Sequence, residues 1–291
     1  NGSPDGPYVE CGFKPAFVMI RRTESANWCI FDNARNPYNS VNGELYADTS
    51  DTENTQDDDI DFLSNGFKIV RSATNFNDND SNHIYMAFAD SSALGELKTK
   101  SKKNPISVNP KQGFKAVDYV GDVGTNNIVT GFKPDLVWIK NRDSVYHSNL
   151  FDSVRGPQNA IYSGTAQKQS SDSTTLTSFN SNGFDLGSNV GVNENNKKHI
   201  AWSWKAGGSG ADFMKDGEED TSIATGGSIT PSKMSVNTEA GFSIVKYKGT
   251  LSDSVNSATI PHGLSGCDFC MIKNLDNANA WIVSHSSITP D

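Results

Sequence analysis

The chain has 291 residues, a formal net charge of −9 and a hydrophobic fraction of 35%. That length allows two or three domains at roughly 100–200 residues each. The acidic balance argues against a general binder of nucleic acid or anionic membrane, no apolar run approaches the ~20 residues of a spanning helix, and aromatics at 10% exclude the profile of a disordered chain.

The opening NGSPDGPYVE reads as neither a secretory signal nor a transit peptide. The first predicted elements are short strands. FVMI at 17–20 is an apolar run of core-strand length, and Asn65-Gly66 is a tight-turn signal before Phe67-Lys68-Ile69. In HIYMAF at 83–88, Ile84, Met86 and Phe88 alternate with Tyr85 and Ala87, so both faces are apolar, as in a strand buried in a two-sheet sandwich. A faint helical pattern follows at 91–103. The stretch 94–112, with Lys98, Lys100, Lys102, Lys103 and Lys111, reads as a solvated linker.

Strands then resume with Phe114–Val120, with LVWI at 136–139, and with Phe184-Asp185-Leu186 after the Asn182-Gly183 turn. From 207 to 240 come Gly-Gly-Ser-Gly, Lys-Asp-Gly-Glu-Glu-Asp and Gly-Gly-Ser, a composition expected of a flexible linker, although Phe213 and Met214 within it could pack on a sandwich.

The sequence repeats itself. GFKPAFVMI at 12–20 returns as GFKPDLVWI at 131–139, FDNARNP at 31–37 as FDSVRGP at 151–157, SNGF at 64–67 as SNGF at 181–184, and HIYMAF at 83–88 as HIAWSW at 199–204. A third copy starts at GFSIVKYKG, 241–249, matching GFKAVDYVG at 113–121, and runs through Met271-Ile272-Lys273-Asn274 to Trp281. Self-similarity at a fixed period is the mark of a repeat architecture. The expected organisation is a sandwich at 1–93 lacking its first strand, a Lys-rich linker at 94–112, a complete sandwich at 113–206, a Gly/Ser/acidic linker at 207–240 and the truncated start of a third repeat at 241–291. The fold class is all-β, tandem antiparallel β-sandwiches of jelly-roll or concanavalin-lectin-like type with little helix. Phe17 should sit where Leu136 does, Phe67 where Phe184 does, and Ile84 where Ile200 does.

Chemistry is sparse. No GxSxG, HExxH, P-loop or GxGxxG before a helix is present, so no catalytic residue is expected. His83 and His199 open equivalent strands and read as partners of loop carbonyls, and His262 reads as a turn residue. Asp57-Asp58-Asp59 and Asp78-Asn79-Asp80 carry the Asp-x-Asp spacing of a calcium loop, but no glycine and distal glutamate follow, and a solvated loop is the plainer reading. Cys267-Asp-Phe-Cys270 is a lone CxxC read on a strand, where the two thiols would point to opposite faces. No metal and no cofactor are expected. Arg35 and Arg155 each follow Phe-Asp by two residues and precede a proline by one, a spacing that suits a turn anchored to Asp32 and Asp152. Trp138, Trp202 and Trp204 lie in apolar strands and read as core or interface.

At these residues, GFKPDLVWIKNRDS, LFDSVRGP, LTSFNSNGFDLGSN and HIAWSWKAGG, the chain resembles the repeat domain of tail-fibre-like structural proteins of tailed, especially marine, bacteriophages. Copy one departs from that pattern, with Ala87-Phe88-Ala89 where Trp-Lys-Ala is common. The resemblance implies a virion component with a lectin-like β-sandwich and supplies no catalytic residues. The expected function is a non-enzymatic virion subunit, a tail fibre, spike or surface protein, serving assembly and host attachment. Its expected partners are other copies of itself, three-fold by the resemblance, and other virion proteins. A glycan-binding receptor module, with Tyr38, Tyr46, Tyr146 and Tyr162 as loop aromatics, is the alternative, and a polysaccharide depolymerase a more distant one. Host-surface glycan is thus a further candidate partner; nucleic acid and membrane insertion are not.

Overall fold

The computed structural model describes residues 2, 3, 5–89, 113–250 and 257–288. Among them 40% are strand and 3% helix, an all-β fold of several antiparallel sheets with no closed barrel. The stretch 94–112 read as a linker, and the faint helical pattern at 91–103, lie outside the described residues.

The first unit contains β1 (Tyr8–Glu10), β2 (Pro15–Arg22), β3 (Cys29–Asp32), β4 (Leu45–Tyr46), β5 (Ile60–Leu63), β6 (Gly66–Ile69) and β7 (His83–Ala89). They form two sheets, ordered β4-β3-β2-β7 and β1-β6-β5. The second unit contains β8 (Phe114–Val120), β9 (Asn126–Val129), β10 (Leu136–Asn141), β11 (Asn149–Asp152), β12 (Asn159–Tyr162), β13 (Ser170–Ser171), β14 (Leu176–Asn180), β15 (Gly183–Leu186), the single helical turn α1 (Val190–Asn193) and β16 (Lys198–Trp204). Its sheets are ordered β13-β12-β11-β10-β16-β8 and β14-β15-β9.

The two units pair their equivalent strands alike at the three expected positions. Phe17 pairs with Asp32 and Phe88, as Leu136 pairs with Asp152 and Trp204. Phe67 lies opposite Phe62 and Val9, as Phe184 lies opposite Phe179 and Ile128. Ile84 lies opposite Arg21, as Ile200 lies opposite Lys140.

Each unit is a sandwich because its strands alternate with period two. On β2, Val18 and Ile20 face inward to a core with Phe31, Phe62, Phe67 and Phe76. On β10, Val137 and Ile139 face the matching core of Phe151, Phe184, Leu186 and Ala201. The opposite face is buried too, which the both-sides-apolar strands announced. Its partner is not the other sheet of the same sandwich. Phe17, Met19, Ile30 and Ile84 of the first unit join Phe114, Trp138, Leu150, Trp202 and Trp204 of the second in one shared core. Rings lock it: Phe17 meets Phe114, Trp202 and Trp204 edge-on at 5.7–5.8 Å, and Phe88 stacks on Phe114 at 5.5 Å.

The stretch 207–240 is a folded element rather than a flexible linker. It contains β17 (Phe213–Lys215), β18 (Glu218–Glu219), a 3-10 turn at Thr221–Ala224 and β19 (Lys233–Asn237). β19 runs parallel to β17 and antiparallel to β20 (Phe242–Lys246). Met234 and Val236, both fully buried, give this sheet its own small core with Ile223. Two apolar residues two apart on β19 outweigh a glycine- and acid-rich composition, because the glycines fall in the turns. Gly207 shows why one is needed there: a Cβ would meet the carbonyl oxygens of Met214 and Val236 at 2.5 Å. The third unit adds the hairpin β21 (Phe269–Ile272) and β22 (Ile282–His285), whose Phe269, Met271 and Val283 pack against the shared core. Among the described residues no helix is long and apolar enough to cross a membrane.

Candidate functional site

Arg35 and Arg155 occupy identical cages. Asp32 closes the end of β3 with Oδ1 accepting the backbone N–H groups of Ala34 and Arg35 at 3.1 and 3.0 Å, while Oδ2 accepts Arg35 Nε at 2.6 Å. The guanidinium then donates to the carbonyls of Gly43 at 2.6 Å and Ile30 at 3.1 Å. Arg155 repeats this with Asp152 and the carbonyls of Asn159 and Leu150. A planar fork is needed to reach a carboxylate and two carbonyls at once, so the recurring Phe-Asp-x-x-Arg is a turn anchor in both units.

Beside the first cage lies a cluster that the second lacks. Glu53 Oε1 accepts Arg35 Nη1 at 2.6 Å, and its Oε2 accepts Arg142 Nε at 3.0 Å and Nη2 at 2.6 Å. Arg142 Nη1 continues to Asp118 Oδ1 at 2.5 Å. Arg35 and Glu53 belong to the first unit, Arg142 and Asp118 to the second, so an ionic chain, buried from Arg35 through Arg142 and ending at the exposed Asp118, crosses the boundary between repeats. Trp202 seals it: the ring lies 5.9 Å from the Arg35 guanidinium and its Nε1 donates to Asp32 Oδ2 at 2.9 Å.

The same boundary is held by main-chain atoms, and these contacts recur one repeat later. Glu53 N–H donates to Arg142 O at 2.9 Å, and Gln169 N–H donates to Leu275 O at 3.0 Å. Lys140 Nζ donates to Ser50 O at 3.2 Å, and Lys273 Nζ donates to Ala166 O at 2.9 Å. Strand registers make each of these pairs equivalent, so the loop after β4 docks on the β10–β11 hairpin as the loop after β12 docks on the β21–β22 hairpin. At the second junction Trp281 Nε1 also donates to Tyr162 O at 2.8 Å, and Trp204 stacks on Phe242 at 6.4 Å. Trp28 meets Phe269 edge-on at 6.1 Å, bringing the first and third units together. Gly164 permits the close approach at the first junction, where a Cβ would meet the Asp48 carbonyl at 3.1 Å.

Glu53 and Arg142 escaped the sequence reading because a search for recurring residues passes over those that differ between copies. Gln169 stands where Glu53 does, and Leu275 where Arg142 does. The signal was available in the aligned loops as an acid present in one copy and neutral in the next.

Lys140 is fully buried at this junction, with Nζ donating also to Tyr146 O at 2.7 Å. Burial pushes its ammonium down to about 8, against about 10.4 for an exposed lysine. Between those values the unfolded chain keeps a proton that the folded chain has lost, so the contribution of Lys140 to stability rises with pH across that window. Comparing unfolding free energies of the wild type and Lys140→Met, the difference should be flat below pH 8 and climb toward pH 10. A difference that stays flat contradicts the assignment.

The remaining candidates are spoken for. Asp57 pairs with Arg71, and Asp78 with Arg22 at 2.5 Å. Desolvation pushes Asp59 up to about 7 although Arg71 Nε lies 2.7 Å away. His199 is buried against Tyr119, stacked at 5.2 Å, with Nδ1 3.0 Å from Lys197 O, and burial lowers its pKa. His262 Nδ1 accepts Leu264 N–H at 3.2 Å beside a shallow depression whose lining carries Lys215 but no carboxylate. Trp138, Trp202 and Trp204 are buried; of the four tyrosines expected in loops, Tyr46 and Tyr162 instead end strands β4 and β12, and only Tyr38 is fully out in solvent, at 84% exposure. The CxxC departs from expectation: β21 begins at Phe269, so Cys267 precedes the strand and its thiol reaches Cys270, whose pKa rises through burial and that neighbour.

Fold and junction define a class, an all-β protein of tandem sandwiches fused through a common core. The chain belongs to a family described as "Domain of unknown function (DUF7483)", matched over residues 1–92 and 109–291. No curated protein and no solved structure matches it.

Proposed function

We propose that this chain is a non-enzymatic structural subunit of a phage particle, at a tail fibre, spike or particle surface, built of repeated β-sandwiches that serve assembly and host attachment. The observation that carries this reading is the shared core: both large sheets and the third-unit hairpin bury the faces a free-standing sandwich would show to solvent. Buried charge goes to the same end, since Arg35, Glu53, Arg142 and Lys140 all join one repeat to the next. Such a design suits a rigid, load-transmitting element. The motifs that carry the resemblance point the same way, to tail-fibre-like virion proteins. Mass spectrometry of purified particles from the source culture should find the chain at stoichiometric copy number. A chain confined to the particle-free fraction overturns the reading.

Tyr38 favours glycan recognition as a second reading, because it sits bare on a loop beside Pro37 where a sugar could stack. Loss of host-cell adsorption in Tyr38→Ala, with stability unchanged, would select it.

A further inference from the structure

The loop that docks the first unit on the second hangs from a pair of residues. Glu44 N–H donates to Asn54 O at 2.9 Å and Asn54 N–H donates to Glu44 O at 3.0 Å, so this pair closes residues 45–53, with Ser50 and Glu53 at the junction. Beside it, Val70 N–H donates to Asp59 O at 3.0 Å, which fixes Asp59 just before β5. The side chains of Glu44 and Asp59 are both buried, and both lean on one guanidinium. Arg71 Nη2 lies 3.4 Å from Glu44 Oε2 and Nε lies 2.7 Å from Asp59 Oδ1, while Nη1 is taken by Asp57. Neither oxygen of Asp59 accepts a hydrogen bond among the described residues. A carboxylate taken out of water without hydrogen bonds is costly, and a second anion on the same cation adds repulsion. The other groups packed here bring no relief. Burial keeps the Cys29 thiol and the Tyr46 phenol neutral, and Asp48 and Asp58 add negative charge. Burial outweighs the pull of Arg71, with Glu44, Asp57 and Asp58 adding to it, and pushes the Asp59 carboxyl up to about 7.

The second unit lacks the whole set. Strand registers put Ala160 where Glu44 stands, Thr175 where Asp59 stands and Ser188 where Arg71 stands. Its docking loop hangs from the pair Ala160 and Ser170, with no charge behind it.

We propose that Asp59 is a pH-sensitive latch on the first junction: protonated, it leaves Arg71 to Glu44 and keeps the docking loop closed; ionised, it sets a second buried anion against Glu44 and loosens residues 45–53 from the second unit. Between the ordinary carboxylate value of about 3.9 and about 7, the folded chain holds a proton that the unfolded chain has released. The stability this proton contributes is therefore complete below that window and falls through it as pH rises, by up to about tenfold in the folding constant per pH unit. Lys140, at the same junction, acts in the opposite sense and at higher pH.

Amide hydrogen exchange on the intact chain at pH 5 and pH 8, with each amide normalised to its intrinsic rate, tests the latch. In the wild type, protection of residues 45–54 should fall by about tenfold or more between the two, while that of residues 161–170 holds. Asp59→Asn keeps the shape of the neutral acid at every pH, so its 45–54 loop should be as protected at pH 8 as at pH 5. Carboxyl-carbon NMR of the wild type reads the same group without a substitution, and Asp59 should titrate near pH 7. An Asp59 carboxyl already ionised at pH 5 overturns the proposal. So does a wild-type 45–54 loop equally protected at both pH values, or a loss that Asp59→Asn or the 161–170 loop shares in full.

Discussion

Trp202→Ala should lower the stability of the chain by about 3–5 kcal/mol, read as a lower denaturant midpoint by tryptophan fluorescence or circular dichroism. The indole is fully buried where three things meet. Its ring lies edge-on to Phe17 and to Trp138, at 5.7 and 6.0 Å, so truncation opens a cavity that belongs to two repeats. Its Nε1–H satisfies Asp32, the carboxylate that holds Arg35. Trp202→Phe keeps most of the volume and gives up that hydrogen bond, so its cost should fall to about 1–3 kcal/mol, the range for a buried acceptor losing a donor. Equal losses for Ala and Phe would assign the effect to the hydrogen bond alone. A loss under about 0.5 kcal/mol for Trp202→Ala, the size of a surface substitution, would refute the shared core.

Glu53→Gln should be nearly as damaging, at about 3–5 kcal/mol, the range for breaking one partner of a buried ion pair. Glu53 faces two guanidiniums, Arg35 fully enclosed and Arg142 at 9% side-chain exposure. A neutral amide leaves both cations without their common anion, and one of its two terminal atoms is a donor pointed at donors. The equivalent Gln169 offers a control inside the same molecule. It receives Arg155 Nη1 only at a long 3.4 Å and faces Leu275 instead of an arginine, so Gln169→Ala should cost under about 1 kcal/mol. Arg155→Ala should cost more than Gln169→Ala and less than Arg35→Ala, because Arg155 has a carboxylate and two carbonyls but no second acid. A thermal-denaturation series of these variants gives the order directly. Parity between Glu53→Gln and Gln169→Ala would show that the ionic chain adds nothing at its junction.

Strand positions and repeat equivalence were legible in the sequence because both arise from short-range pattern. Apolar alternation fixes which residues of β2, β7, β10 and β16 point the same way, and motif recurrence aligns Phe17 with Leu136 before any sheet is drawn. What each face touches is a long-range matter. Ile84, Met86 and Phe88 look alike whether they meet a partner sheet in the same sandwich or tryptophans of the next unit, and only the fold separates the two. Composition misled at 207–240, where glycines serve turns around Met234 and Val236. The ionic chain was the least legible part, since Glu53 and Arg142 are remote in sequence and are the residues in which the copies differ.

The junctions between units rely on carbonyl oxygens and amide hydrogens of the docking loop, Ser50 O and Glu53 N–H at one, Ala166 O and Gln169 N–H at the other. Every amino acid except proline supplies both groups. A loop can therefore exchange its outward side chains and still hold its neighbour, which frees residues 48–52 and 165–168 to diverge under selection for whatever lies outside. It also makes the units interchangeable in principle: duplication, deletion or shuffling of whole repeats preserves the connecting grammar, and adding the Glu53–Arg142 pair at a single boundary strengthens that boundary without altering the rule.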